Sequence, residues 1–162
     1  MTDPQTTVVT TLADIKSRLS AQGVNFGVLD AESTAPGIAQ THIDTALRTL
    51  QKQHAQAFGV DYPYLQSSEA GVAYVNDPRV ARLRAAQEFY NAQDALADPA
   101  RNGRAATNVA AAKAHMEIES RLTRADGSPC FNTWEDHSRT LSALRASAEV
   151  ELSPATEMAQ TR

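Results

Sequence analysis

Apolar residues recur at intervals of three or four along most of this chain, which is the spacing that lines one face of an α-helix. Glycine, proline and polar clusters interrupt the pattern and separate five such stretches. The pattern predicts helices at approximately 4–22, 38–58, 77–97, 104–124 and 133–152. We therefore expect an all-α protein in which about five helices form a bundle and the whole chain, 1–162, is a single domain.

The two helices predicted between 77 and 124 should form the centre of this bundle. Asp77 and Asp98 each precede a proline, and this pair suits the start of a helix or a turn. Each helix carries two neighbouring apolar lines, so each should bury a wide face. The lines are Val80, Leu83, Ala86, Tyr90 and Ala85, Phe89, Ala92, Leu96 in the first helix, and Ala105, Val109, Ala112, Met116 and Ala111, His115, Ile118, Leu122 in the second. A short joint with an Asn-Gly turn should fold them back as an antiparallel hairpin.

Segment 60–75 has the weakest helical pattern, and we expect irregular structure there. It contains Tyr62, Tyr64 and Tyr74, which are three of the four tyrosines in the chain. Clustered tyrosines can seal the end of a bundle, or they can form a contact surface for a partner.

Both ends of the chain are polar, and the tail 153–162 should fray unless a neighbouring molecule holds it. Ordered polar ends would therefore indicate a larger assembly. Segment 24–37 has a short apolar run that could be a strand, but its glycines and the lack of a clear partner favour a loop packed on the bundle.

Composition narrows the class of protein. The 29 alanines, set against four phenylalanines, four tyrosines and one tryptophan, indicate thin helices that approach closely. The net charge of −4 is spread along the chain without a basic block, which argues against sequence-independent nucleic-acid binding. The chain has neither a signal-peptide pattern nor an apolar run of membrane-spanning length. We expect a soluble protein made in a cytoplasm, with no membrane partner.

Three of the four histidines, His54, His115 and His137, fall on apolar helix faces. With Glu119, one turn after His115, they could form a metal site inside the bundle. No two histidines have the i, i+4 spacing of a helical metal clamp, and no Glu-x-x-His motif is present. A histidine at a helix seam is more often a core or boundary residue. We therefore expect no metal or other cofactor, and we keep these four residues as the alternative.

Cys130, the one cysteine, excludes an internal disulfide and precedes a predicted helix start, where backbone N–H groups can lower a thiol pKa. His137 could then serve as its base. No third group that would orient the base can be identified, so a small apolar residue is the simpler interpretation. Because no phosphate-binding loop or nucleophile elbow occurs either, we predict no catalytic residue and no enzyme.

Arginines cluster near the starts of the two central helices. Arg79, Arg82 and Arg84 lie in the first turns of a helix, where positive charge opposes the helix dipole. Arg101 and Arg104 lie in the neighbouring joint. This patch could meet acidic side chains of a partner, or its members could pair within the chain or face solvent.

These observations predict a non-enzymatic structural or interaction protein that works as a subunit of a larger assembly. Its partners would be other proteins or copies of itself. Compact helical subunits with ordered arms occur in virion and tail assemblies, so incorporation into such a particle is one possible setting. A small helical metal-binding protein or enzyme and a regulatory adaptor bundle remain the alternatives.

Overall fold

The computed structural model describes residues 4–21, 38–122 and 130–152, and the regular structure within these ranges is entirely helical. The six α-helices are α1 (Pro4–Ala21), α2 (Ile38–Ala57), α3 (Glu69–Val75), α4 (Pro78–Ala97), α5 (Ala105–Arg121) and α6 (Trp134–Glu151). Two 3₁₀ helices, Tyr62–Ser67 and Asn102–Arg104, precede α3 and α5. The predicted all-α class is confirmed.

Some expectations concern residues outside the described ranges. These are the loop or strand at 24–37, the residues beyond 122 of the predicted helix 104–124, and the frayed tail 153–162. The argument from ordered polar ends lies there as well.

The pair α4 and α5 forms the most extensive helix contact of the fold. At the start of α4, Pro78 occupies the first turn and the Asp77 carboxylate accepts a hydrogen bond from the Arg79 backbone N–H at 2.9 Å. Both predicted apolar lines of α5 are buried. Several alanines of the two helices have no exposed surface, namely Ala85, Ala86, Ala92, Ala110 and Ala112. Their small side chains let the two helix backbones approach closely.

Three further helices cover this central pair. α1 contacts both α4 and α5, α2 contacts α4, and α6 contacts α5. The buried residues of α1 are Val8, Leu12, Ile15 and Leu19, at the spacing that the sequence predicts, and those of α2 are Ile43, Leu47, Leu50 and Ala55. At the start of α6, Thr133 Oγ1 accepts a hydrogen bond from the Asp136 backbone N–H at 3.0 Å. These helices share one hydrophobic core.

Segment 60–75 contains more helix than the sequence indicated, because it forms a 3₁₀ helix and then α3. The Ser68 hydroxyl caps α3 by accepting a hydrogen bond from the Gly71 backbone N–H. Ala70 and Tyr74 have no exposed surface, so α3 is held by tertiary burial. A helix of seven residues is too short to show a clear period, and packing overrides its low intrinsic propensity.

A side chain at the corner between α3 and α4 fixes the start of α6. The amide of Asn76 donates to the Phe131 carbonyl oxygen at 2.9 Å and accepts from the Phe131 N–H at 3.0 Å. It also donates to the Val72 carbonyl oxygen at 2.8 Å. This one residue satisfies both backbone groups of a partner 55 positions away.

Gly71→Ala should destabilise the protein by about 1–3 kcal/mol, the usual cost of overpacking a filled interior. A Cβ at this position would lie 2.2 Å from the Leu65 carbonyl oxygen and 3.1 Å from Trp134 Cε3. Thermal unfolding should show a Tm lower by roughly 2–4 °C per kcal/mol. Gly103→Ala is the matched control, because a Cβ there meets nothing within 4 Å. Equal Tm values for the two variants would contradict this account of the α3 contact.

Candidate functional site

The carboxylate of Asp77 joins α2 to the start of α4. It is buried, and its Oδ2 lies 2.9 Å from His54 Nε2 and 2.8 Å from Arg79 Nη2. Burial alone would raise the pKa of the Asp77 carboxyl group, but hydrogen bonds from Arg79 and His54 outweigh it and hold that pKa below its ordinary value. The group is therefore a paired, ionised structural carboxylate at neutral pH.

Tyr74 lies in the core, and its ring meets the His54 ring edge-on at a centroid distance of 6.1 Å. Its ring stacks on Trp134 with a centroid distance of 5.5 Å and an interplanar angle of 17°. Its hydroxyl oxygen accepts hydrogen bonds from Arg84 Nη2 at 3.3 Å and from Gln51 Nε2 at 3.4 Å. Because Tyr74 has no exposed surface, the prediction that it forms part of a partner-binding surface is corrected.

A cavity of about 180 Å³ lies where α3, α4, α5 and α6 meet, and we call it the histidine cavity. Its apolar walls are Val75, Val80, Trp134 and Leu141. Its polar walls are Arg84, His115, His137 and Ser138. The cavity therefore combines a mainly apolar enclosure with a few convergent polar groups, the usual composition of a small-molecule site.

The two cavity histidines are buried without satisfied hydrogen bonding. His115 is 6% exposed and His137 is 8% exposed, and the Nδ1 atom of each is buried with no hydrogen-bond partner among the described residues. Burial lowers the pKa of His115 to about 3 and that of His137 to about 4, and the positive charge of Arg84 lowers both further. Both imidazoles are therefore neutral at pH 7, and the Nδ1 atom of each is unpaired among the described residues.

Of the four residues in the metal-site hypothesis, the structure brings His115 and His137 to one cavity. His54 is bonded to Asp77, and Glu119 forms an ion pair with Arg82. Over the described ranges, no group of three or more histidine, cysteine, aspartate or glutamate side chains is placed to hold a metal ion. The four residues thus do not converge on a single point.

The arginine patch is largely paired within the chain. Arg79 binds Asp77, Arg82 binds Glu119, and Arg101 Nε lies 2.9 Å from Asp98 Oδ2. Arg104 is exposed. The geometry therefore agrees with the intramolecular alternative for three of the four arginines predicted to bind a partner.

Three further residues singled out by the sequence are Tyr62, Tyr64 and Cys130. Tyr62 and Tyr64 begin the first 3₁₀ helix, and their side chains lie outside the described ones. Cys130 is partly buried and packs against the hydrophobic core, as a small apolar residue would.

Two polar residues of the cavity were not predicted as site residues. The sequence places Arg84 in the arginine patch, but it lies one turn after the buried Val80 on the same helix face and lines the cavity. Ser138 follows His137 directly and gave no signal of its own.

An open apolar groove of about 510 Å³ runs between α1 and α4, and we call it the α1–α4 groove. On the α1 side it is lined by Val9, Leu12, Ala13 and Lys16. On the α4 side it is lined by Phe89, Gln93, Leu96 and Ala97. Val9 is 54% exposed and is one of three exposed large hydrophobic residues among the described side chains.

Comparison of the chain with models of known protein families, with curated proteins and with solved structures gives no match. Among the described helices, none combines the length and apolar character needed to cross a bilayer.

Both cavity histidines should make the protein less stable as the pH falls below about 6.5. In the unfolded chain their pKa returns to 6.5, whereas in the fold it is about 3 for His115 and about 4 for His137, so the unfolded state binds more protons. Each should lower the free energy of unfolding by up to about 1.4 kcal/mol per pH unit below 6.5. The loss should be complete only near the folded-state values.

Urea unfolding between pH 7 and pH 4.5 would measure this slope. The double variant His115→Gln, His137→Gln keeps polar side chains that do not titrate, and it should flatten the slope. Burial raises the pKa of Glu88, which has the opposite effect on stability but is common to both proteins. A double variant as pH-sensitive as the wild type would refute this assignment.

Asp77→Ala should lower the free energy of unfolding by about 2–3 kcal/mol, because it removes a helix cap and leaves the His54 imidazole without its partner. Asp98→Ala is a matched control, since Asp98 also precedes a proline and binds an arginine but lies at the surface. Its effect should be clearly smaller. Chemical denaturation measures the free energy of unfolding of both variants. Similar decreases in that free energy would contradict a structural role for the buried carboxylate.

Proposed function

We propose that this protein is a non-enzymatic interaction protein that works as a subunit of a larger assembly. The observation that carries the proposal is the α1–α4 groove, which leaves an open apolar surface along two neighbouring helices. Contiguous exposed apolar surface on a protein often marks a protein-protein contact.

The lining of the groove has the composition of an interface. Leu12 and Phe89 are buried and form the floor of the groove. Val9 and Leu96 supply its accessible apolar surface, while Lys16 and Gln93 supply polar groups of the kind found at an interface rim. Ala13 and Ala97 are small, so a helix laid in the groove could approach the backbone closely.

The occupant we propose is α1 of a second copy of this chain. Val9 projects from the same surface that carries the small Ala13, so α1 offers both a projecting side chain and room to receive one. A two-fold contact requires such a self-complementary surface, because each subunit uses the same patch. The net charge of −4 is modest for 162 residues, so repulsion between copies would be weak.

A dimer built in this way would be the first unit of the assembly. A two-fold contact closes on itself, so a larger particle would need a second contact surface. Incorporation into a virion or tail is the setting we propose for that particle, on the architectural analogy given by the sequence.

Val9→Asp should shift the protein from dimer to monomer, because it places a charge against the apolar groove of the second copy. Val150→Asp is the matched control, since Val150 is 60% exposed but lies on α6, outside the groove. Sedimentation velocity across the micromolar range, with circular dichroism to verify folding, would compare both variants with the wild type.

The wild type and the Val150→Asp protein should sediment as dimers, and the Val9→Asp protein as a monomer. A wild type that stays monomeric throughout would overturn the proposal and favour a regulatory adaptor. A dimer that Val9→Asp leaves intact would show that the copies associate through another surface.

A further inference from the structure

The histidine cavity has polar and apolar walls, and nothing in the proposed function uses it. Arg84 lines the cavity, and its guanidinium group donates to the Tyr74 hydroxyl at 3.3 Å. A guanidinium group has five N–H donors in a planar fork that matches a carboxylate. A second donor pair can therefore serve a ligand while Tyr74 keeps its hydrogen bond.

The two histidines are polar residues of the same cavity wall. Their Nδ1 atoms are buried, and the described residues offer them no partner. A buried polar atom without a hydrogen bond costs about 1–3 kcal/mol, and both side chains that carry this cost line the one cavity. A neutral imidazole donates through one nitrogen and accepts through the other, so each can adopt the tautomer that a ligand requires.

The charges around the cavity favour an anion over a cation. Arg84 lies in its wall, and the positive charge of Arg145 also acts on His115. The acidic groups nearby are Asp136, whose charge acts on His137, and Glu88, whose own pKa is raised by burial. The same positive field that disfavours protonation of the imidazoles would stabilise a negative charge placed between them.

The apolar walls determine the chemistry of the rest of the ligand. Val75, Val80 and Leu141 supply aliphatic walls, and Trp134 supplies an aromatic one. The volume of about 180 Å³ slightly exceeds the 150 Å³ or so of an engineered apolar cavity that binds benzene.

From these observations we propose that the histidine cavity binds a small monocarboxylate whose apolar body is about the size of a benzene ring. The carboxylate lies against Arg84 with His115 and His137 beside it, and the apolar body lies against Trp134 and Leu141. This site shares only α4 with the α1–α4 groove, so its test is independent of subunit association.

Benzoate is the probe, and isothermal titration calorimetry of the full chain measures its binding. Trp134 is the one tryptophan of the chain and lines the cavity, so its fluorescence gives a second readout. Benzyl alcohol matches the ring without the charge, and inorganic phosphate matches the charge without the ring. We expect saturable binding of benzoate, with both comparison ligands at least about tenfold weaker, as expected for loss of a charge-assisted hydrogen bond.

Two variants locate the site. Arg84→Gln should weaken benzoate binding about tenfold or more, because it removes the charged donor. Ser138→Leu should abolish binding by filling the cavity, and it breaks no buried hydrogen bond. Ser142→Leu lies one turn further along α6 at an exposed position and should bind benzoate like the wild type.

Ser138→Leu keeps the test decisive if Arg84→Gln fails to fold, since Arg84 also holds Tyr74. If the cavity holds only water molecules, none of the probes gives saturable heat and the proposal is wrong. Phosphate binding without benzoate binding, or benzoate binding that survives Ser138→Leu in a folded protein, would also overturn it.

Discussion

Close contact between α4 and α5 is the constraint on which the rest of this fold depends. The two helices meet through alanines such as Ala92 and Ala112, which have no exposed surface. Alanine contributes little apolar area by itself, so these contacts must be numerous and close to offset the entropy of ordering the chain. Bulky buried residues also come from the surrounding helices, as Ile15, Leu19 and Ile43 do. α1, α2 and α6 are therefore needed to complete the core.

The buried polar groups of the bundle fall into two classes. Asp77 is fully engaged, because it caps a helix, binds an arginine and contacts His54. His115 and His137 are neutral and leave a nitrogen unpaired. The bonds of Asp77 stabilise a corner of the fold. The unpaired histidine nitrogens lower the free energy of unfolding, and such groups are common at functional sites.

Helical spacing predicted the class of the fold and its buried faces because each depends only on neighbours within a turn or two. The four buried residues of α1 and both buried lines of α5 follow directly from it. Spacing could not reveal α3, because a helix of seven residues gives no clear period. The sequence also could not show that Gly71 lies close to Leu65 and Trp134 in the fold. Contacts between distant segments carry no local signature.

The candidate site was predictable only in part for the same reason. The apolar spacing placed His115 and His137 on buried faces, and the structure has them there. It could not show that they share a cavity, nor that Arg84 of another helix completes the polar wall. Glu119 shares a face with His115 but turns to Arg82, because an ion pair with a neighbouring helix is available. Which helices become neighbours decides these outcomes.

The Asn76 amide has a consequence for the position of the last helix. It fastens the backbone at Phe131 to the corner between α3 and α4, and Phe131 in turn meets the His137 ring at a centroid distance of 5.2 Å. The start of α6 is thereby fixed by hydrogen bonds, and Ala148 and Leu152 near its other end are buried in the core. A polar anchor at one end and apolar burial at the other thus hold α6 in place.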